Sequence, residues 1–135
     1  MKIILYYTNK NRYSMNALLG AMESEKSNNC EIILSKNGND IENTLKDSKD
    51  RINILAISFF TQQTEEIKKL ISDLKEKYKD KLLIIGGGPH SSAMPQEAIS
   101  FGIDYIIKGE GEKLFPELIN KLSCSILSKK SNFKT

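Results

Sequence analysis

The stretch LLIIGGGPHSSAMPQ, Leu82 to Gln96, runs four large apolar residues into Gly86, Gly87, Gly88, Pro89 and His90. Three successive glycines remove side chains where a backbone must turn sharply or let a bulky group approach closely. His90 is the only histidine in the chain, so it is the one imidazole that could move a proton or bind a metal. Following a strand and preceding a helix, it reads as a loop or helix-start residue and not as a ligand. Three other short stretches carry polar chemistry. TNKNRYS, Thr8 to Ser14, is polar throughout, and Ser14 suits the cap of a following helix. Ser58 with the run TQQT, Thr61 to Thr64, offers hydroxyls and amides and no charge before Glu65. GEGE, Gly109 to Glu112, places Glu110 and Glu112 where a helix N-terminus favours carboxylates. Neutral, glycine-lined loops of this kind suit an extended polar ligand better than a bare phosphate. Neither GxxxxGK[ST] nor a GxGxxG in the first loop is present, so nucleotide cofactors held by those fingerprints are not supported. The acidic cluster and lysine of a phosphoacceptor receiver are also missing.

These loops need elements to hold them. KIILYY (Lys2 to Tyr7), EIILS (Glu31 to Ser35), NILAISFF (Asn53 to Phe60), KLLIIG (Lys81 to Gly86) and DYIIKG (Asp104 to Gly109) read as strands, each brief, rich in Ile and Leu and bounded by turn residues. Between them lie amphipathic stretches with apolar residues three and four apart: Ser14 to Glu25, Asp40 to Ser48, Thr64 to Tyr78, Pro95 to Phe101 and Glu112 to Leu122. Strands that are apolar almost throughout and alternate with helices predict a parallel sheet covered on both faces. The expected architecture is therefore three-layered α/β, a five-stranded flavodoxin-like (Rossmann-like) sheet of order 2-1-3-4-5. In such a sheet ligands sit at the carboxyl ends of the strands, near the switch between strands 1 and 3. All the stretches singled out above are loops at that end.

The remaining features bound the function. A chain of 135 residues, 39% hydrophobic and 27% charged, suits one globular domain. We expect that domain over residues 1–122 and a polar tail or truncated linker, extended or poorly ordered, over 123–135. Twenty Lys and Arg against 17 Asp and Glu give a net charge of +3, too weak a basic signal to imply nucleic acid. Cys30 and Cys124 have no second cysteine or histidine nearby, so neither a metal cage nor a disulfide scaffold is indicated. They read as inert thiols of a reducing, cytoplasmic protein. The apolar runs fall far short of the about twenty residues of a membrane span, and MKIILYY lacks the longer apolar region and cleavage site of a signal peptide.

Taken together, NRYSMNALLGAME after strand 1, ISFFTQQT at strand 3, IIGGGPHSSAMPQEA after strand 4 and DYIIKGEGEKLFPEL at strand 5 resemble the cobalamin (B12)-binding domain that precedes the radical S-adenosylmethionine domain of many bacterial and archaeal enzymes. The resemblance covers roughly residues 1 to 122. It implies that a corrin lies across the carboxyl ends of the strands and that the cofactor's nucleotide tail enters a slot beside strand 4. Ser58 and Thr61 match the hydroxyl positions lining that slot, and Gly86, Gly87 and Gly88 match the glycines that let the tail pass the backbone. Thr8, Asn9, Tyr13 and Ser14 from the first loop, Pro89 and His90 after the glycines, and Gly109 and Glu110 after strand 5 complete the expected cofactor-binding set. Tyr13 could stack on a corrin edge. The GEGE segment would face a partner domain.

Two departures accompany the resemblance. The DxHxxG motif, which supplies a histidine to cobalt from the first loop in the wider fold, is absent, so the lower face of cobalt is expected to lack that ligand. CxxxCxxC is absent too, so this chain does not ligate the iron-sulfur cluster of a radical domain and carries no complete catalytic site. Two readings stay open. One is a cobalamin-binding module, part of or partner to a radical S-adenosylmethionine enzyme, methyltransferase-like or other. The alternative is a cofactor-free interaction or remnant domain that keeps the fold alone.

Overall fold

The structure, a computed structural model, describes residues 2–9, 11–24, 31–48, 52–88, 94–108 and 111–132. Its elements alternate as expected: β1 (Lys2–Tyr6), α1 (Arg12–Ser24), β2 (Glu31–Ser35), α2 (Gly38–Asp47), β3 (Asn53–Ser58), α3 (Thr64–Tyr78), β4 (Leu82–Gly87), α4 (Pro95–Ser100), β5 (Tyr105–Ile106) and α5 (Gly111–Asn132). Short 3-10 turns lead into α3 at Thr61–Gln63 and out of it at Lys79–Lys81. The five strands form one sheet of order β2-β1-β3-β4-β5, parallel throughout. This is the predicted flavodoxin-like architecture.

Side-chain alternation along the strands divides the core into two layers. Ile4, Tyr6, Leu55, Ile57 and Ile84 face Ile41 and Leu45 of α2, Ile67, Ile71 and Leu74 of α3, and Ala98 of α4. Ile3, Leu5, Ile54, Ala56 and Ile85 face Met15 and Met22 of α1, and Phe115, Ile119 and Leu122 of α5. Every residue of β3 is buried, which is why that strand reads as an unbroken apolar run. β2 lies at an edge and leaves Leu34 46% exposed. Burying a large aliphatic side chain contributes about 1.5–3 kcal/mol, so these two layers are the main source of stability.

Local chemistry sets the element ends. Asn37 caps α2 by accepting from Asp40 N at 2.9 Å, and the helix starts at Gly38, ahead of the expected Asp40. Pro95 occupies the first turn of α4, where its missing N–H costs nothing. β5 is shorter than expected. Its leading Asp104 exchanges backbone and side-chain bonds with Ile84: Asp104 N donates to Ile84 O at 2.9 Å, while Asp104 Oδ2 accepts from Ile84 N and Lys75 Nζ at 2.8 and 2.7 Å. A carboxylate thus stands in for a strand carbonyl. The larger difference is α5, which runs to Asn132 where an extended or poorly ordered tail was expected after residue 123. No glycine or proline follows Pro116, and the Ser, Leu, Ile and Lys residues beyond Leu122 permit a helix that their polar pattern does not announce.

Candidate functional site

At the carboxyl end of the sheet, on the face covered by α1 and α5, a cleft of about 420 Å³ opens between the two helices. Its floor is the end of β3 and β4. On this face β3 presents Ile54, then Ala56, then Ser58, and β4 presents Leu83, then Ile85, then Gly87, so side-chain volume tapers toward the carboxyl ends. The register sets Ala56 beside Ile85 and Ser58 beside Gly87, which aligns the two tapers. One wall is Ser14, Ala17 and Leu18 of α1, and the other is Gly111, Glu112 and Phe115 of α5. The helices approach closely there, for a Cβ on Gly111 would lie 3.3 Å from Leu18 Cδ2.

The glycines act differently from one another. Among the described residues a Cβ on Gly87 would meet nothing closer than Ile107 O at 3.9 Å, so the absent side chain leaves room in the cleft. Gly88 has φ of +89°, a conformation that disfavours side chains, and a Cβ there would sit 2.6 Å from Ser58 Oγ and 3.1 Å from Phe59 N and O. Gly88 therefore makes the turn, while Gly87 and Ser58 shape the space. Gly86 lies on the cleft rim in register with Ile57.

Ser58 is 7% exposed, and its hydroxyl has no hydrogen-bond partner among the described residues. Ser58 Oγ is not among the fully buried unpartnered oxygens, so from the cleft lining its hydroxyl is available to hydrogen-bond what enters the cleft. Glu112 is the only charged residue of the lining among the described residues. The cleft thus offers an apolar body, the hydroxyls of Ser58 on its floor and Ser14 on its wall, and the exposed Glu112 carboxylate, within the size range of small-molecule sites.

Ser14, Ser58, Gly86, Gly87 and Gly88 of the expected set come together on this lining. Thr8, Asn9, Tyr13 and Thr61 are placed elsewhere on the same end of the sheet. Thr8 spends its N–H and hydroxyl on Asn11 Oδ1 at 2.7 and 3.1 Å. Asn9 is exposed in the first loop. Tyr13 is 82% exposed, with the Arg12 guanidinium 5.4 Å above its ring. Thr61 begins the turn before α3, where its carbonyl accepts from Thr64 Oγ1 at 2.6 Å. Pro89, His90, Gly109, Glu110 and Cys30 lie outside the described residues; Cys124 is exposed and free. Ser14 is not the helix cap, since α1 begins at Arg12 and Met15 N bonds back to Asn11 O at 3.0 Å.

Several polar residues of these loops are consumed by the fold itself. Buried Gln63 accepts from Phe60 N at 3.1 Å and closes the turn after β3. Asn11, 3% exposed, donates through Nδ2 to Tyr6 O and Ser58 O at 2.7 and 3.0 Å. Beyond Ser14, the cofactor-binding set expected from the sequence omits Asn11, Ala17 and Leu18 of the α1 wall, and Gly111, Glu112 and Phe115 of the α5 wall. The spacing of Ser14, Ala17 and Leu18, three and four apart with small residues among them, was the available signal for the α1 wall. Among the described residues there is no cluster of three or more potential metal-ligating side chains, and no helix is long and apolar enough to cross a membrane.

No curated protein matches the chain. Among solved structures it is similar to the N-terminal domain of a hypothetical protein of Thermotoga maritima, with 23% identity, a TM-score of 0.59 and coverage of 77% of this chain and 79% of that one. It is also similar to a response regulator from Thermotoga maritima, with 16% identity, a TM-score of 0.66 and coverage of 89% and 94%. NtrX from Brucella abortus, in complex with ADP, matches at 14% identity and a TM-score of 0.64 over 97% of this chain and 29% of that one. At such identities these likenesses show the fold alone. The family model of the B12 binding domain matches residues 14–119, a span running from the α1 wall of the cleft to its α5 wall, and the chain belongs to that family.

Proposed function

We propose that the chain is a cobalamin-binding module whose cleft holds the nucleotide tail of the cofactor while the corrin lies over the carboxyl ends of the strands. The observation that carries this reading is the Ser58 hydroxyl, without a hydrogen-bond partner among the described residues and 7% exposed on the floor of a cleft that Ala56 and Gly87 leave open. A base-and-sugar tail has the shape and the hydrogen-bonding edge such a space accepts. The residues that would hold it are Ser14, Ala17, Ser58, Gly87, Glu112 and Phe115. The bound cofactor would supply a cobalt centre able to make and break a cobalt–carbon bond. The chain's own residues would bind and orient it and keep water from its tail.

Large apolar side chains exposed in the βα connections support a covered upper surface. Phe60 is 42% exposed after β3, Met94 51% before α4 and Leu114 38% at the start of α5. A corrin and a radical S-adenosylmethionine domain or chain, in the cytoplasm, are the covering we propose. The described first-loop residues offer cobalt no imidazole, and Asn11 has no hydrogen-bonding capacity left. Cobalt is therefore expected to lack a protein ligand from that loop. The test is reconstitution with hydroxocobalamin followed by desalting. Retained corrin absorbance at one equivalent is expected, whereas a colourless protein across the accessible concentration range would leave the cofactor-free reading.

A further inference from the structure

The switch point of this sheet lies between β1 and β3, whose following helices, α1 and α3, cover opposite faces. In such sheets the gap beyond the last paired residues is the usual ligand crevice. Here β1 and β3 pair as far as Leu5 and Ala56, and Asn11 fills the space just beyond. Its Nδ2 donates to Tyr6 O at 2.7 Å and Ser58 O at 3.0 Å, while Oδ1 accepts from Thr8 N at 2.7 Å and Thr8 Oγ1 at 3.1 Å. Two donors and two acceptor positions are the whole capacity of a primary amide, so nothing remains for a ligand. The Asn11 carbonyl also accepts the first helical bond of α1, from Met15 N at 3.0 Å. One residue therefore joins the Ser58 floor of the neighbouring cleft to the α1 wall that carries Ser14.

We infer that Asn11 is a positioning residue: it seals the switch-point crevice and, by tying Ser58 to the start of α1, sets the width of the cleft that takes the ligand. The ligand itself rests on the cobalamin reading above. Aspartate has the same shape but turns two donors into an acceptor aimed at two carbonyl oxygens. Protonating the introduced carboxyl returns one donor, and burial together with those carbonyls raises its pKa above the ordinary Asp range. Among the described residues the titratable groups nearby are Tyr7, Arg12 and, on the far wall of the cleft, Glu112. Wild-type protein measured at each pH accounts for their contribution.

The experiment measures hydroxocobalamin affinity for wild type, Asn11→Asp and Asn11→Ala at pH 8 and pH 5, with amide hydrogen exchange of the ligand-free proteins. Losing buried donors is expected to weaken Asn11→Asp about tenfold or more at pH 8, with recovery to within about threefold of wild type at pH 5. Asn11→Ala stays weak at both. Exchange of residues 12–16 in Asn11→Asp is expected to be faster than wild type at pH 8 and close to it at pH 5. A purely structural defect would not reverse with the charge of one carboxyl. If Asn11→Asp does not fold at pH 8, Asn11→Ser, which keeps a neutral donor, replaces it and should bind between wild type and Asn11→Ala. Wild-type affinity in Asn11→Asp at pH 8, or in Asn11→Ser, or a loss that is equal at both pH values with unchanged exchange, overturns the role of Asn11. Should wild type itself retain no hydroxocobalamin, the cofactor reading falls alone and the exchange measurement decides Asn11.

Discussion

The two faces of the central strand differ in what they do with volume. Toward α2, α3 and α4, β3 and the residue after it present Leu55, Ile57 and Phe59, each no more than 1% exposed, so packing stays dense to the carboxyl end. Toward α1 and α5 the same strand presents Ile54, Ala56 and Ser58, and the layer thins into a cleft. Both faces are built from the same six-residue strand. A binding site here is a graded omission of side chains on one face, supported by a close-packed face behind it. The dense face holds the strands rigid, which lets the thin face leave space without collapsing.

Changes on the two faces should therefore separate stability from binding. The largest effect belongs to the dense face. Ile71→Ala on α3, fully buried against the sheet, should cost about 2–5 kcal/mol in denaturant unfolding while leaving hydroxocobalamin affinity of the folded protein unchanged. A parallel loss of affinity would mean the faces are coupled.

Next comes Gly87→Val on the thin face. Gly87 lies in β4 and is not among the glycines with positive φ, so a β-branched residue suits its backbone and its side chain enters the open cleft. Hydroxocobalamin binding should fall about a hundredfold, roughly 2.7 kcal/mol, with little change in melting. Gly88→Ala is its counterpart: with φ of +89° and Ser58 Oγ 2.6 Å from the new Cβ, it should lower the melting temperature first. A Gly87→Val protein that binds like wild type would remove the cleft from cofactor binding.

A smaller contrast pairs two buried serines. Ser35 Oγ is buried on the dense side with no partner among the described residues, whereas Ser58 lines the open cleft on the thin side. Ser35→Ala should be neutral or stabilising by up to about 1 kcal/mol and leave binding alone. Ser58→Ala should weaken cofactor retention by about three- to tenfold, the worth of one neutral hydrogen bond. Equal effects of the two on binding would mean that the Ser58 hydroxyl has no ligand partner.

The smallest effect is in the alkaline arm of the stability curve. Burial, and then the Glu66 carboxylate 3.4 Å from its hydroxyl, raise the Tyr6 pKa above the ordinary value of 10.0. The neutral phenol is the form the folded state favours, so its contribution is full below the unfolded pKa and is lost as pH rises through the folded one. Tyr6→Phe should accordingly flatten the fall in stability above pH 10 relative to wild type and leave the curve between pH 6 and pH 9 parallel. Identical alkaline arms would assign that fall to other groups.

The alternation of short apolar strands with amphipathic helices was enough to predict a parallel sheet, the five βα connections and the end of the sheet where chemistry collects, and five such units on a short chain fit the order 2-1-3-4-5 that the sheet has. Those are properties of local periodicity, and burial of both faces of β3 follows from its unbroken apolar run. Ser58 and the glycines were legible for the same reason, as small or polar residues where an apolar strand stops. The polar pattern beyond Leu122 misled, because helix propensity carries α5 on to Asn132 without an apolar stripe to mark it. What only the tertiary structure decided is which loop residues are spent on the fold and which are left for a ligand. Asn11 sits in a run that reads as solvated, yet it is buried because its amide reaches a carbonyl 47 residues away in sequence. The cleft likewise needs the β3–β4 register to set Ser58 beside Gly87, and α1 and α5, from opposite ends of the chain, to close over them. Hydrogen-bond partners and cavity walls are distant in sequence, so no local spacing can encode them; they exist once the strands are paired and the helices packed.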